Sequence, residues 1–160
     1  MKNSIEEILK NANIALQRNE RKVNKKKNDE VYIIDLCDKV LNDSSSRQHR
    51  FNFLTGDTGV KLPVDAYYEK YQLVVEYHEK QHTESVKFFD KKDTVSGVTR
   101  DVQRRIYDER RKKVLPEHGI EVIILSYNDF NFDSQKRIIR NPEKDLETVR
   151  QKLKRFIQNG

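Results

Sequence analysis

The runs LPVDAYY (62–68) and LVVEYH (73–78) stand four residues apart, and this close pair constrains the fold more than any other feature of the chain. Both are rich in β-branched and aromatic side chains, and so short a connection joins neighbouring strands as an antiparallel hairpin. FNFL, residues 51–54, predicts a further strand before them, set off by Gly56 and Gly59. Downstream, Thr99 or Ser96 can cap a helix running to about Val114, with Val102, Ile106 and Val114 on one side. Asp101/Arg105 and Asp108/Lys112 then make i,i+4 pairs outside. Pro116 and Gly119 end that helix, and IEVIIL (120–125) follows as a short apolar run, the pattern of a strand buried on both faces. A helix leading into such a strand predicts a crossover back to the same sheet.

The remaining segments supply helices around it. Ser4 with Glu7 is a capping box, and Ile5, Ile8, Ala12, Ala15 and Leu16 follow at helical spacing, predicting a helix over about Ser4 to Lys22. A lysine-rich linker leads to a second helix capped by Asn28 or Asp29, whose apolar face is Ile33, Ile34, Cys37, Val40 and Leu41. NDSSSRQHR (42–50) reads as a loop, and 79–98 as irregular. Asn141 and Pro142 open a last helix with the apolar stripe Leu146, Val149, Leu153, Phe156 and Ile157. The expected order is α, α, β, β, β, α, β, α: a mixed α/β sheet of four to five strands flanked by helices. Residues 1–28 form an N-terminal helical arm with a basic linker, and 29–160 form the main domain.

Charge then bears on partners. Lys and Arg number 32 against 26 Asp and Glu, a net +6, and the excess falls in three regions. Residues 1–30 hold 8 basic and 5 acidic side chains, 100–118 hold 7 and 4, and 136–160 hold 8 and 3. Basic regions around a more acidic middle suit a polyanion held over a metal-binding centre; each is equally explained as a solvated helix face. Cys37 is the one cysteine, which excludes a disulfide framework and a cysteine zinc site and predicts a buried, inert thiol. No run reaches the length of a membrane span and Met1–Lys10 lacks the apolar core of a signal peptide, so cytoplasm and no membrane are the expectation.

Within the hairpin, alternation puts Val74, Glu76 and His78 on one side of their strand and Leu73, Val75 and Tyr77 on the other. Asp65 on the partner strand can face the same side, about 5 Å away at Cβ. Two ionised acids so close in a partly buried sheet need compensation. A divalent metal could take both as oxygen ligands; Lys80, Lys61 or an arginine could pair with them; or the register could turn one acid to solvent.

PVDAYYEKYQLVVEYHEKQH (63–82) resembles the core of the PD-(D/E)xK nuclease superfamily, with its restriction-endonuclease-like fold. Pro63-Val64-Asp65 stands near the PD pattern with one residue inserted, and Glu76-Tyr77-His78 stands where (D/E)xK is expected, with His78 in place of the lysine. The closer likeness is to the branch around the very-short-patch mismatch repair endonuclease. Its characteristic offsets fall on Asp65, Glu76, His78, Gln81 and His82, and RRIYDERRKKVLPEHGIEVIIL resembles its helix-strand unit. Two departures are Glu79, where the branch has Gly, and the absence of the mismatch enzyme's zinc-binding cysteines.

That resemblance implies a Mg²⁺-dependent endonuclease, with Mn²⁺ as substitute, cutting or nicking double-stranded DNA. Asp65 and Glu76 would bind the metal with the Tyr77 carbonyl, His78 or His82 would accept the proton of the attacking water, and Gln81 would orient it. Lys80 competes for the lysine's role, four residues after Glu76 where the family has two. Glu30 or Asp35 could add an acid from the preceding helix, Asp35 and Asp38 being equally explained as its solvent side. Lys91, Lys92, Arg100, Arg104 and Arg105 are the expected DNA contacts. His49 and His118 are expected in loops as surface residues. A homodimer would supply two cutting sites. The alternative is a catalytically decayed DNA-binding or accessory subunit on the same fold.

Overall fold

The computed structural model describes residues 28–79 and 99–157, together with positions 10, 11 and 14, where the backbone is helical. The helix expected over Ser4 to Lys22 otherwise lies outside the described residues. Helix α1 (Asp29–Leu41) starts where the Asn28 side chain accepts the Val31 N–H at 2.8 Å, and it buries Ile33, Ile34, Leu36, Cys37 and Leu41. Strands β1 (Ser46–Thr55), β2 (Lys61–Tyr68) and β3 (Leu73–His78) follow, then helix α2 (Arg100–Glu117) and strand β4 (Glu121–Ser126). Helices α3 (Pro142–Lys152) and α4 (Lys154–Ile157) close the described chain. Asn141 caps α3 through the Lys144 N–H. No helix among the described residues is long and apolar enough to cross a membrane.

The sheet runs β1-β2-β3-β4. The first two pairings are antiparallel, and β3 pairs with β4 in parallel. The short connection between β2 and β3 is a 3₁₀ turn, Glu69–Tyr71, closed by Gln72 at φ 47°. The parallel pair is the crossover that the helix-then-strand pattern predicts.

Each face of the sheet carries a core. Leu73, Val75 and Tyr77 pack with α1 and α3 through Ile33, Ile34, Cys37, Val149 and Leu153. Val74 packs in a second cluster with Leu115, Ile120, Phe51, Leu54, Leu62 and Val64. All six residues of β3 are buried, because it lies between β2 and β4 with a core on either side. β2 changes cores along its length: Ala66 and Tyr68 belong to the first, Leu62 and Val64 to the second, though all four share one parity. Asp65 stands where it happens.

Several expectations are corrected. β1 begins at Ser46, inside the polar stretch read as a loop; as an edge strand with mostly exposed residues it needs no apolar pattern. β4 is the opposite edge, where only Leu125 is fully buried, so the strand covered on both faces is β3. In α2, Val114 packs against the core as expected, but Val102 and Ile106 are exposed and Asp108 is buried, and the helix continues through Pro116 to Glu117 before Gly119 at φ 74°. Asp108 pairs with Arg111 at 3.1 Å and Lys112 with Glu109 at 2.7 Å, so the expected Asp108/Lys112 pair gives way to two i,i+3 pairs. Asp101/Arg105 forms as expected, at 3.3 Å.

Candidate functional site

The ladder between β2 and β3 runs from Tyr68↔Leu73 to Ala66↔Val75. At the next position the register would set Asp65 opposite Glu76, and there side chains take over from the backbone. Asp65 Oδ2 accepts the Tyr77 N–H at 2.8 Å, and Glu76 Oε1 accepts the Asp65 N–H at 3.3 Å. Each acid thus binds the main chain of the other's strand. The open register, in which one acid would turn to solvent, is excluded.

Burial makes this costly for charge. Glu76 is 6% exposed, and its pKa is pushed up to about 8, first by desolvation, then by the charge of Asp65, against the opposing pull of Arg111. Glu30, in the first turn of α1, is also raised, by burial and then by Asp65, while the Gln48 amide donating at 3.1 Å opposes the shift. Glu30 therefore lies within the electrostatic reach of Asp65. Asp35 does not join them: it and Asp38 hold Arg47 at 3.1 and 2.5 Å, tying α1 to β1. Burial alone would raise Asp38, but hydrogen bonds from Tyr68 and Arg47 outweigh it and hold its pKa below the usual range.

His78 is 9% exposed and, two residues beyond Glu76 on β3, has its partner position at Ser126 of β4. Gln81, His82, Lys80, Lys91 and Lys92 lie outside the described residues. Of the expected DNA contacts on α2, Arg104 is half-buried and seven residues from Arg111, hence on the same helix face; Arg100, one turn earlier, is exposed. Arg105 belongs to another face, paired with Asp101 and 63% exposed. His49 is in strand β1, its ring 4.5 Å from Phe51 and 4.9 Å from Tyr67, so it is not a loop residue. His118 follows α2, exposed and stacked on Phe53 at 3.7 Å. Cys37 is buried, which pushes its thiol pKa up and leaves it an inert core group.

Sequence reasoning missed Arg111. Its Nε lies 3.9 Å from Glu76 Oε1 and donates to the Pro63 carbonyl at 3.0 Å, while Nη1 donates to Asp108 at 3.1 Å. The signal available was Asp108 and Arg111 at i,i+3, one turn from Leu115, on a helix whose apolar residues do not make a clean stripe.

Among the described residues, no three His, Cys, Asp or Glu side chains are gathered so as to hold a metal ion by themselves. Two interlocked carboxylates do have the donor chemistry of Mg²⁺, a hard cation commonly held by one or two carboxylates with substrate phosphate and water completing its shell. On that chemistry the residues fit. Comparison with protein-family models, with curated proteins and with solved structures returns no match.

Proposed function

We propose that this chain is a divalent-metal-dependent DNA endonuclease with a restriction-endonuclease-like fold, working at Asp65 and Glu76. The supporting observation is that each acid accepts a main-chain N–H of the other's strand at the end of the β2–β3 ladder, which fixes buried Glu76 beside partly buried Asp65 where the strands stop pairing through their backbones. Asp65 and Glu76 are the metal ligands in this reading. Mg²⁺, or Mn²⁺ in its place, would polarise a phosphodiester and lower the pKa of a bound water.

The chain's own groups supply the rest. His78, on the Glu76 side of β3 by alternation, is the described candidate to take the proton of the attacking water. His82 is the second candidate for that proton, and Gln81 the group that orients the water. Glu30 adds negative charge beside Asp65 from the start of α1. Arg100 and Arg104, with Lys91 and Lys92, hold the DNA backbone.

The Asp65→Ala protein should bind a DNA duplex with unchanged affinity and leave supercoiled plasmid uncut, while wild type nicks or linearises it in Mg²⁺ or Mn²⁺. Intact plasmid with wild type in both metals would defeat the catalytic claim. A second reading, a decayed DNA-binding or accessory subunit, is favoured by Arg111 beside Glu76, which compensates part of the buried charge without a metal. Calorimetry separates the two: a decayed site takes up no Mn²⁺ that depends on Asp65 and Glu76.

A further inference from the structure

Beyond Ala66↔Val75 the strands β2 and β3 are held by side chains, and Arg111 supplies part of that splice. Its Nε reaches the Pro63 carbonyl on β2, two residues before Asp65, and faces Glu76 on β3. The other edge of the fork is fixed by Asp108, one turn earlier on α2. The side chains of Arg111, Asp108 and Glu76 are only 14%, 10% and 7% exposed, so water does little of this work. A guanidinium is planar and its donors keep fixed angles, so one that is bound along two edges also fixes what those edges touch.

We propose that Arg111 is a positioning residue: clamped by Asp108, it sets the separation of Asp65 and Glu76 and so the affinity of the pair for a divalent cation. It touches neither DNA nor the metal. The inference rests on the nuclease reading and deepens it, by assigning to α2 the rigidity of a site whose ligands come from the sheet.

Charge and position predict opposite results, which makes the point testable. Coulomb attraction alone says that removing a cation beside Glu76 tightens divalent-metal binding. Loss of positioning says that it weakens binding, by about 10–100-fold as for other residues that orient metal ligands. Mn²⁺ affinity would be measured by calorimetry on wild type, Arg111→Met, Arg111→Lys and Asp108→Asn, at a temperature where circular dichroism shows each folded.

The expected result is weaker Mn²⁺ binding in Arg111→Met and a smaller loss in Asp108→Asn. Arg111→Lys, which keeps the charge and loses the fork, should also bind more weakly. Plasmid cleavage should fall in kcat with KM for DNA unchanged. Unchanged or tighter Mn²⁺ binding in Arg111→Met overturns the proposal. If that variant does not fold, unchanged affinity in both Arg111→Lys and Asp108→Asn overturns it instead. Wild type that cuts and binds Mn²⁺ beside indifferent variants defeats only the positioning role, whereas wild type that binds no Mn²⁺ defeats the nuclease reading and this inference together.

Discussion

At the scale of single residues, burying Glu76 beside Asp65 costs stability in a way that depends on pH. Glu76 ionises in water near pH 4.3, but burial and Asp65 push its folded pKa up to about 8. Between those values the folded chain keeps a proton that the unfolded chain has released. Stability must therefore fall as pH rises from about 4.5 towards 8, the opposite sign to a paired surface acid. Glu30, raised for the same reasons, adds to the trend. Asp38, whose pKa is lowered, acts in the other direction but below about pH 4, outside this window. Thermal unfolding of chelated protein from pH 5 to 8.5 should show Tm declining more steeply in wild type than in Glu76→Gln, and Mg²⁺ should restore more of it at pH 8 than at pH 5. Parallel pH curves for the two proteins would remove the argument. Glu76 and Asp65 were legible in the sequence because period-two alternation and a short hairpin leave little freedom. Arg111 was not, because nothing local says which face of a charged helix meets a sheet.

Among the elements, α2 shows why. Its apolar residues predict Val102 and Ile106 inside, yet the buried residues are Asp108 and Leu115 with Arg111 between them, since the sheet there offers Glu76 and the Pro63 carbonyl to Arg111. The same helix fixes the end of the β1–β2 ribbon: Arg110 donates to the Thr55 carbonyl at 2.8 Å and pairs with Asp57 at 3.0 Å. Gly56 permits that approach, for a Cβ there would meet the Tyr107 hydroxyl at 2.9 Å and Leu62 at 3.2 Å. Overpacking of this kind costs about 1–3 kcal/mol. Gly56→Ala should therefore lower stability by about that amount in urea unfolding, whereas Gly59→Ala, with nothing within 4 Å but φ 77°, is strained by its backbone alone. Equal stability of Gly56→Ala and wild type would show that Tyr107 is not held against the ribbon. The strand start at Ser46 was illegible for a related reason: an edge strand borrows its conformation from β2 and needs no pattern of its own.

For the molecule as a whole, the net charge of +6 has to be weighed by where it points. Much basic charge is already opposed: Arg47 by Asp35 and Asp38, Arg110 by Asp57, Arg140 by Asp29 and Lys152 by Asp129. Those pairs hold elements together and offer little to a polyanion. Arg104 differs from Arg105 in direction. By its seven-residue spacing it shares the Arg111 face, along which the nuclease reading would run a bound backbone, whereas Arg105 is on another face with Asp101 at 3.3 Å. A phosphate contact releases counterions and adds about 0.9 to the slope of log affinity against log salt on duplex DNA. Arg104→Ala should thus weaken binding of any duplex sequence and flatten that slope by about 1 between 50 and 200 mM salt, read by fluorescence anisotropy. Arg105→Ala should leave the slope within error of wild type, because its charge and that of Asp101 largely cancel at a distance. Equal slopes for the two variants would place the DNA path elsewhere, away from the α2 face that carries Arg111.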